Sequence, residues 1–507
     1  MPAFYRQGGW PVKVWTESGI NIKIRKNIRR RQKVKRRQTG AEYVVRLYNT
    51  LKRTVETFTP LEEGKVGLYC CGPTVYNFAH IGNLRTYIFE DLLRRVLEAA
   101  GYRVNHVMNI TDVGHLSSNG DEGEDKMLRS AREKGMDVWD IARFFTEAFF
   151  KDMRALHNKE PSVVAFATQH IDDMIDIIKK IEAAGYAYQA GGNLYFDTGR
   201  DESYGLLRGY GINEESVSRV GIDANKRHHE DFVLWFTDSK FERQAMVWES
   251  PWGRGYPGWH IECSAMSHRY LGRQFDIHCG GVDHIGTHHT NEIAQGMAAY
   301  SCVSARYWLH SEFLMFKGGK MSKSEGSFLT LDKLREMGFD AFDYRYFCLS
   351  SHYRKKLVFS EEAMAAARTA RSKLMARSIE LKNFLPAEEP AGARALFDDF
   401  KVKLFNDLNS PEALAAMWTM LKNKELPAAV KAWTLKEINA MLDIGLFDEA
   451  PEATLESSLM QLINERAAAK KAGDFAKADE MRAKLLEAGI SIKDTPEGTV
   501  WQKIKRK

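Results

Sequence analysis

The sequence predicts an α/β protein: a parallel sheet carries the chemistry, and a helix-rich half follows it. Three observations lead there. Residues 65–110 read as a strand, a loop, a helix and a second strand. Polar residues cluster again at 257–295, and beyond Phe359 the chain turns to long runs of strong helix formers. At 507 residues and 44% hydrophobic content, the chain can bury a large core and is expected to form two to four domains.

The first element is KVGLYCCG (65–72), a buried strand ending at Gly72. After a loop containing Pro73, Leu84, Tyr87, Ile88, Leu92, Val96 and Leu97 recur at helical spacing, and YRVNHVMNI (102–110) alternates as the next strand. Such a unit builds a parallel sheet that takes its ligands at the carboxyl ends of the strands. His80, Gly82 and Asn83 stand where the helix begins. A helix N-terminus presents unpaired N–H groups and partial positive charge, so it suits a phosphate. His80 and Asn83 can add donors to the same anion, and Gly82 lets the backbone come close. Taken alone, the two side chains are ordinary caps.

A second element gives them company. In KGGKMSKSEGSFLT (317–330), Lys320 and Lys323 flank Met321 and Ser322 in a Gly-rich loop, an arrangement suited to closing over a triphosphate. No Walker A loop is present. The single G-x-G-x-x-G match, GRGYPG (253–258), contains Pro257 and follows WESPW instead of a strand, so it is read as chance.

Six cysteines, two of them adjacent at Cys70 and Cys71, make no disulfide framework and are expected to be reduced. Cys71 at the end of the first strand, Cys263 in PGWHIECSAMS, and His288 with Glu292 in GTHHTNEIAQ form a plausible zinc set. His288 and Glu292 lie one helical turn apart and share a face. His284 and His289 are rival imidazoles, and the four-residue spacing to Glu292 favours His288.

Charge is uneven. The chain has 73 Lys/Arg and 67 Asp/Glu, but residues 1–40 hold 12 of the former against Glu17 alone, which leaves 61 against 66 from residue 41 onward. Residues 1–42 are expected to be a disordered basic extension. A nonspecific RNA-binding arm and an organelle transit peptide are the functional alternatives. No run of about 18 apolar residues occurs and no secretory signal opens the chain, so a cytoplasmic location without membrane association is expected.

HIGN (80–83) and KMSKS (320–324) resemble, in order and separation, the signature pair of class I aminoacyl-tRNA synthetases. YCCGPTVYNFAHIGNLRTY, NITDVG, DFVLW, WESPWGRGYPGWHIECSAM and FDIHCGGVDHIGTHHTNEIAQ further resemble cysteinyl-tRNA synthetases, over roughly residues 44–507. The resemblance implies a Rossmann-like catalytic domain over 43–358, with a connective insertion at about 115–255. A helical bundle would span 359–450 and a small anticodon-binding domain 451–507. It implies one Zn²⁺ per chain, held by Cys71, Cys263, His288 and Glu292, and Mg²⁺ with ATP. His80, Asn83, Lys320 and Lys323 would be catalytic, and with Gly82, Gly281 and Asp283 they would bind ATP. Gly72, Thr111 and Trp259 would line the amino-acid pocket. L-cysteine, ATP and tRNA-Cys are the implied partners, and a monomer is expected.

There is a physical reason for such a metal. A pocket relying on shape separates near-isosteres such as cysteine and serine only about a hundredfold, whereas zinc lowers a thiol's pKa and prefers the thiolate. The chain departs from the family's pattern at Asn83, where many members have a second histidine, at Cys279, where glycine is usual, and in HIGTHHTNE, which replaces a more hydrophobic approach to the metal. Two alternatives share parts of this signature: a cysteine–amino-sugar ligase of mycothiol synthesis, which needs no anticodon domain, and a noncatalytic RNA-binding derivative of a synthetase.

Overall fold

The computed structural model describes residues 43–114, 126–208, 223–237, 246–316, 319–320, 329–447, 457–495 and 498–503. The basic extension, Lys323 and parts of the insertion lie outside the described residues. Five parallel strands form the central sheet: β1 (Lys65–Cys70), β2 (Arg103–Ile110), β3 (Val163–Phe166), β4 (Phe275–Gly281) and β5 (Ala305–Ser311). Their order is β5-β4-β1-β2-β3. The chain therefore winds outward from β1 in one direction and from β4 in the other, which is the Rossmann-like arrangement.

Helices cover both faces. On one, α1 (Ile81–Ala99) sets Leu84, Ile88 and Leu92 against Val66, Leu68 and Cys70. On the other, α2 (Trp259–Leu271) and α3 (His288–Tyr300) set Met266 and Ile293 in one core with Tyr69, Cys71 and Trp308. Successive side chains of a strand point to opposite faces, so Cys70 and Cys71 belong to different cores.

Within the insertion, strands Ala187–Ala190, Asn193–Phe196, Phe232–Phe236 and Tyr256–Pro257 form an antiparallel sheet in that order. The last is an edge strand, where a proline is tolerated, and it lies inside GRGYPG. A Cβ on Gly255 would stand 1.7 Å from the Phe236 carbonyl oxygen, and one on Gly258 would stand 1.9 Å from that of Val233. These glycines let neighbouring backbone come close and serve no dinucleotide.

Helices Glu361–Lys382, Ala393–Phe405, Ser410–Lys422 and Ala428–Leu442 pack into the core shared with α1. The first starts at Ser360, whose side chain accepts the Ala363 N–H. Further on, helices Ser457–Lys471 and Phe475–Glu487 and the hairpin Ile490–Thr495/Gly498–Lys503 enclose a small core of their own, built on Ile463, Leu485, Ile490 and Ile492. No helix among the described residues is long and apolar enough to cross a membrane.

One buried cation joins the sheet's helix to the bundle. Arg345, fully buried, donates to Asp91 Oδ2 of α1 (2.5 Å), to Asn158 Oδ1 (2.7 Å), and to the Leu156 and Leu442 carbonyls (3.1 and 2.8 Å). Arg95 Nε adds a bond to the same Asp91 oxygen at 2.7 Å. Burial alone would raise the Asp91 pKa, but the two guanidinium groups outweigh it and hold the carboxyl below its ordinary value. Removing one partner of such a pair leaves a poorly compensated buried charge. Arg345→Met is therefore expected to lower the free energy of unfolding by about 3–5 kcal/mol, measured by urea denaturation. A loss within experimental error would show that Arg95 alone suffices.

Candidate active site and metal centre

β1 and β4 end side by side and send their chains apart, which opens a cavity of about 300 Å³. Cys71, Gly72, Thr111, Trp259, Cys263 and His288 line it, as do His80, Asn83, Gly281 and Asp283. Ten of the residues singled out from the sequence thus meet around one space. Gly82 and Glu292 stand behind its wall. Lys320 belongs to a short strand, Gly319–Lys320, that pairs with Leu314–Phe316, and Lys323 is outside the described residues.

The floor is fixed by a chain of hydrogen bonds. The Gly72 N–H donates to Asn109 Oδ1 (2.8 Å), Asn109 Nδ2 donates to Thr111 Oγ1 (3.1 Å), and the Thr111 hydroxyl donates to Glu262 Oε2 (3.0 Å). A Cβ on Gly72 would lie 1.7 Å from the Asn109 carbonyl oxygen, so only glycine fits where β1 leaves the sheet. Neither Asn109 nor Glu262 stands out from sequence. Their signal is positional: one is near the end of β2, the other is a lone carboxylate in the first turn of α2.

At the start of α1 the residues cap the helix. His80 Nδ1 accepts the Asn83 N–H (3.1 Å), and Asn83 Oδ1 accepts the His80 N–H (3.3 Å), a reciprocal capping box. Gly82 also has a packing reason. Its Cβ would lie 2.9 Å from the His80 ring, so its absence lets the imidazole fold over the helix start.

The metal-ligand candidates converge. One donor atom from each of Cys71, Cys263, His288 and Glu292 lies within 4.8 Å of all the others. His288 Nε2 is 3.4 Å from Cys263 Sγ and 3.2 Å from Glu292 Oε1, and its Nδ1 meets His260 Nδ1 at 3.0 Å. An imidazole offering one nitrogen to a cluster while the other is held behind it is the usual posture of a metal ligand. All four residues are buried. Burial pushes the Cys71 thiol well above its ordinary value. Cys263 is pulled down by a hydrogen bond with Cys71, yet burial and the Glu292 carboxylate leave it raised. Two thiols, an imidazole and a carboxylate out of water are a donor set that fits a borderline-soft divalent ion such as zinc.

The rival imidazoles separate. His284 stands in the turn Val282–His284, its ring 5.1 Å from that of His288. His289 turns to Cys71, with Nε2 3.3 Å from Sγ, and lies 4.0 Å from Glu292 Oε1. Three further buried imidazoles, His260, His278 and His310, complete a cluster that the sequence reading passed over. Burial lowers the pKa of His289 and His310 well below the ordinary value, with neighbouring imidazoles adding to the effect, so both are neutral.

Residues 57–369 match the family described as tRNA synthetases class I (C) catalytic domain, and residues 454–501 match the Cysteinyl-tRNA ligase anticodon binding domain. A cysteine–tRNA ligase of Treponema denticola is 46% identical over 490 residues, which covers 91% of this chain and 100% of that protein. Cysteine–tRNA ligase 1 of Burkholderia lata is 48% identical over 465 residues, 89% and 95% of the two chains. Among solved structures, the Mycobacterium tuberculosis methionyl-tRNA synthetase in complex with methionyl-adenylate shares the fold. It has a TM-score of 0.52 at 15% identity, over 75% of this chain and 90% of that one. A ternary complex of Agrobacterium radiobacter K84 agnB2 LeuRS with tRNA and LeuAMS gives a TM-score of 0.53 at 12% identity, over 76% and 84%.

Next to Thr111, Asp112 accepts the Thr168 N–H (2.9 Å) and hydroxyl (2.6 Å). Burial raises its pKa from 3.8 to about 6, against the pull of those two bonds. A raised folded-state value means that the folded protein holds this proton more tightly than the unfolded chain. The contribution to stability is then full below about pH 3.8, is lost progressively as pH rises from there, and is gone above about 6. Asp112→Asn has no proton to lose, so relative to wild type it should gain roughly 2–3 kcal/mol between about pH 4.5 and pH 7.5. Urea denaturation of both proteins at the two pH values checks this; a constant difference would contradict it.

Proposed function

The chain belongs to the cysteine–tRNA ligase family of class I aminoacyl-tRNA synthetases, and from that premise we propose how its pocket serves the reaction. The enzyme joins cysteine to tRNA in an ATP-dependent step. The observation that carries the detailed reading is one cavity lined both by His80 and Asn83 of HIGN and by three members of a two-thiol, imidazole and carboxylate quartet.

We assign Cys71, Cys263, His288 and Glu292 as ligands of one Zn²⁺, which when bound supplies a site that prefers a substrate thiolate to a hydroxyl. Trp259, whose ring lies 4.5 Å from that of His288, and Thr111 shape the space around the amino acid. Gly72 keeps the backbone close enough for its N–H to be fixed on Asn109. The α1 N-terminus, with His80 and Asn83, faces the α-phosphate when the cysteine carboxylate attacks it and pyrophosphate departs; Mg²⁺ bound with ATP would offset part of the phosphate charge. Lys320 and Lys323 of the KMSKS motif stabilise that charge. Gly281 and Asp283, on the β4 side of the cavity, take the nucleoside. The terminal ribose hydroxyl of tRNA-Cys then attacks the acyl carbon of the adenylate, AMP departs, and no side-chain nucleophile is needed.

The division into catalytic domain 43–358 with its insertion, bundle 359–450 and anticodon-binding domain 451–507 is part of this proposal. So are a monomeric state and a cytoplasmic location. The match at 454–501 weighs against the amino-sugar ligase, which needs no such domain.

Labelled cysteine should be transferred to purified tRNA-Cys in the presence of ATP, and a large excess of serine should not displace it. Cysteine-dependent pyrophosphate exchange without charged tRNA would leave the activation site right and the acceptor wrong. Stripping the metal with a chelator should abolish cysteine activation and readdition of zinc should restore it, with the bound metal counted by atomic absorption. Lys323→Ala should slow adenylate formation by about 10²-fold or more in a single-turnover assay; an unchanged rate would remove that lysine from the mechanism.

A further inference from the structure

The imidazole cluster holds a second set of four. Cys71, His278, His289 and Glu292 bring one sulfur, two nitrogens and a carboxylate oxygen within 4.8 Å of one another, just as Cys71, Cys263, His288 and Glu292 do. The two sets share Cys71 and Glu292, and the geometry suits sharing. Glu292 turns Oε1 toward His288 (3.2 Å) and Oε2 toward His278 (3.0 Å). Cys71 Sγ stands 3.3 Å from His289 Nε2.

His289 is held from behind as a ligand would be. Its Nδ1 shares a hydrogen bond with His310 Nε2 at 2.8 Å, and His310 Nδ1 shares one with Thr50 Oγ1 at 2.8 Å. With the Thr50 hydroxyl accepting at the end of that chain, His289 donates through Nδ1 and keeps a lone pair on Nε2.

The sets differ in access. Three members of the outer set line the cavity, whereas His278, His289 and Glu292 do not. None of those three is more than 2% exposed. An ion among them would have four protein ligands, of which only Cys71 reaches the cavity wall, so a substrate thiol has no approach to it.

We propose that Cys71, His278, His289 and Glu292 form a second, inner metal position, where a zinc-type divalent cation is fully coordinated by protein and out of reach of a substrate thiol. The inference rests on the metal reading of the pocket. A substrate thiolate can join the ion only in the outer position, so bound cysteine draws the population outward, and the empty enzyme keeps part of its metal behind the wall.

Cobalt(II) tests this in the full-length chain, since its near-ultraviolet charge-transfer absorption counts thiolate ligands and its visible bands report tetrahedral geometry. C263S/H288Q dismantles the outer set and H278Q/H289Q the inner one. The first should bind one equivalent of cobalt with about half the charge-transfer intensity of the second, one thiolate against two, and should ignore added cysteine. The second should gain intensity when cysteine adds a further thiolate. If C263S/H288Q has wild-type circular dichroism and thermal midpoint yet binds no cobalt, while wild type does, the inner position is refuted and His278 and His289 only orient the outer ligands. Should that variant not fold, X-ray absorption of cobalt-loaded wild type without cysteine decides. Fewer than two sulfur neighbours per ion supports the proposal and a full two overturns it. If wild type itself takes up no cobalt, the metal reading falls as well.

Discussion

A parallel sheet wound in both directions has one place where two neighbouring strands send their chains to opposite sides. Here it lies between β1 and β4, and the site depends on it. Because the chains diverge, Cys71 and Gly72 depart toward the start of α1 while Gly281 and Asp283 depart toward α3. No side chain needs to be hollowed out of a core to make room. The helices that follow those strands then present their N-terminal ends to the opening: α1 with His80 and Asn83, α3 with His288.

The cost of this architecture is polar burial next to an apolar core. Desolvation there pushes the Cys71 thiol up and the His289 imidazole down, so both favour their neutral forms. A metal held by such groups would take them deprotonated, which would couple ion binding to proton release. A site of that kind is a poor host for a hydroxyl, because its strongest interaction is reserved for a group that gives up its proton.

Much of this was legible in the sequence. The strand from Lys65, the helix bearing Leu84 and Leu92, and the strand from Arg103 showed their periods plainly, since local patterning and tertiary burial agree there. Cys71, Cys263, His288 and Glu292 were legible because ligand chemistry limits the residue types. What escaped was set by register and packing at a distance. His278 and His310 sit within apolar strands where nothing local distinguishes a network imidazole from a core filler, and they meet His289 only after β4 and β5 pair. Gly82 has, besides the phosphate approach that the sequence suggests, a packing reason that only the structure shows, the folded-back ring of His80. The strand order itself, and therefore which strand ends are neighbours, is a global property with no local signature.

The opposed faces of Cys70 and Cys71 have an evolutionary consequence. Cys70 pairs in register with Cys279 on the apolar side of the sheet, while Cys71 faces the imidazoles. A deletion of one residue inside Lys65–Cys70 would leave composition and hydrophobicity almost untouched, yet it would hand the ligand position to whichever residue followed and turn the present ligand toward the core. Descent should therefore preserve the length of that strand more strictly than its residues.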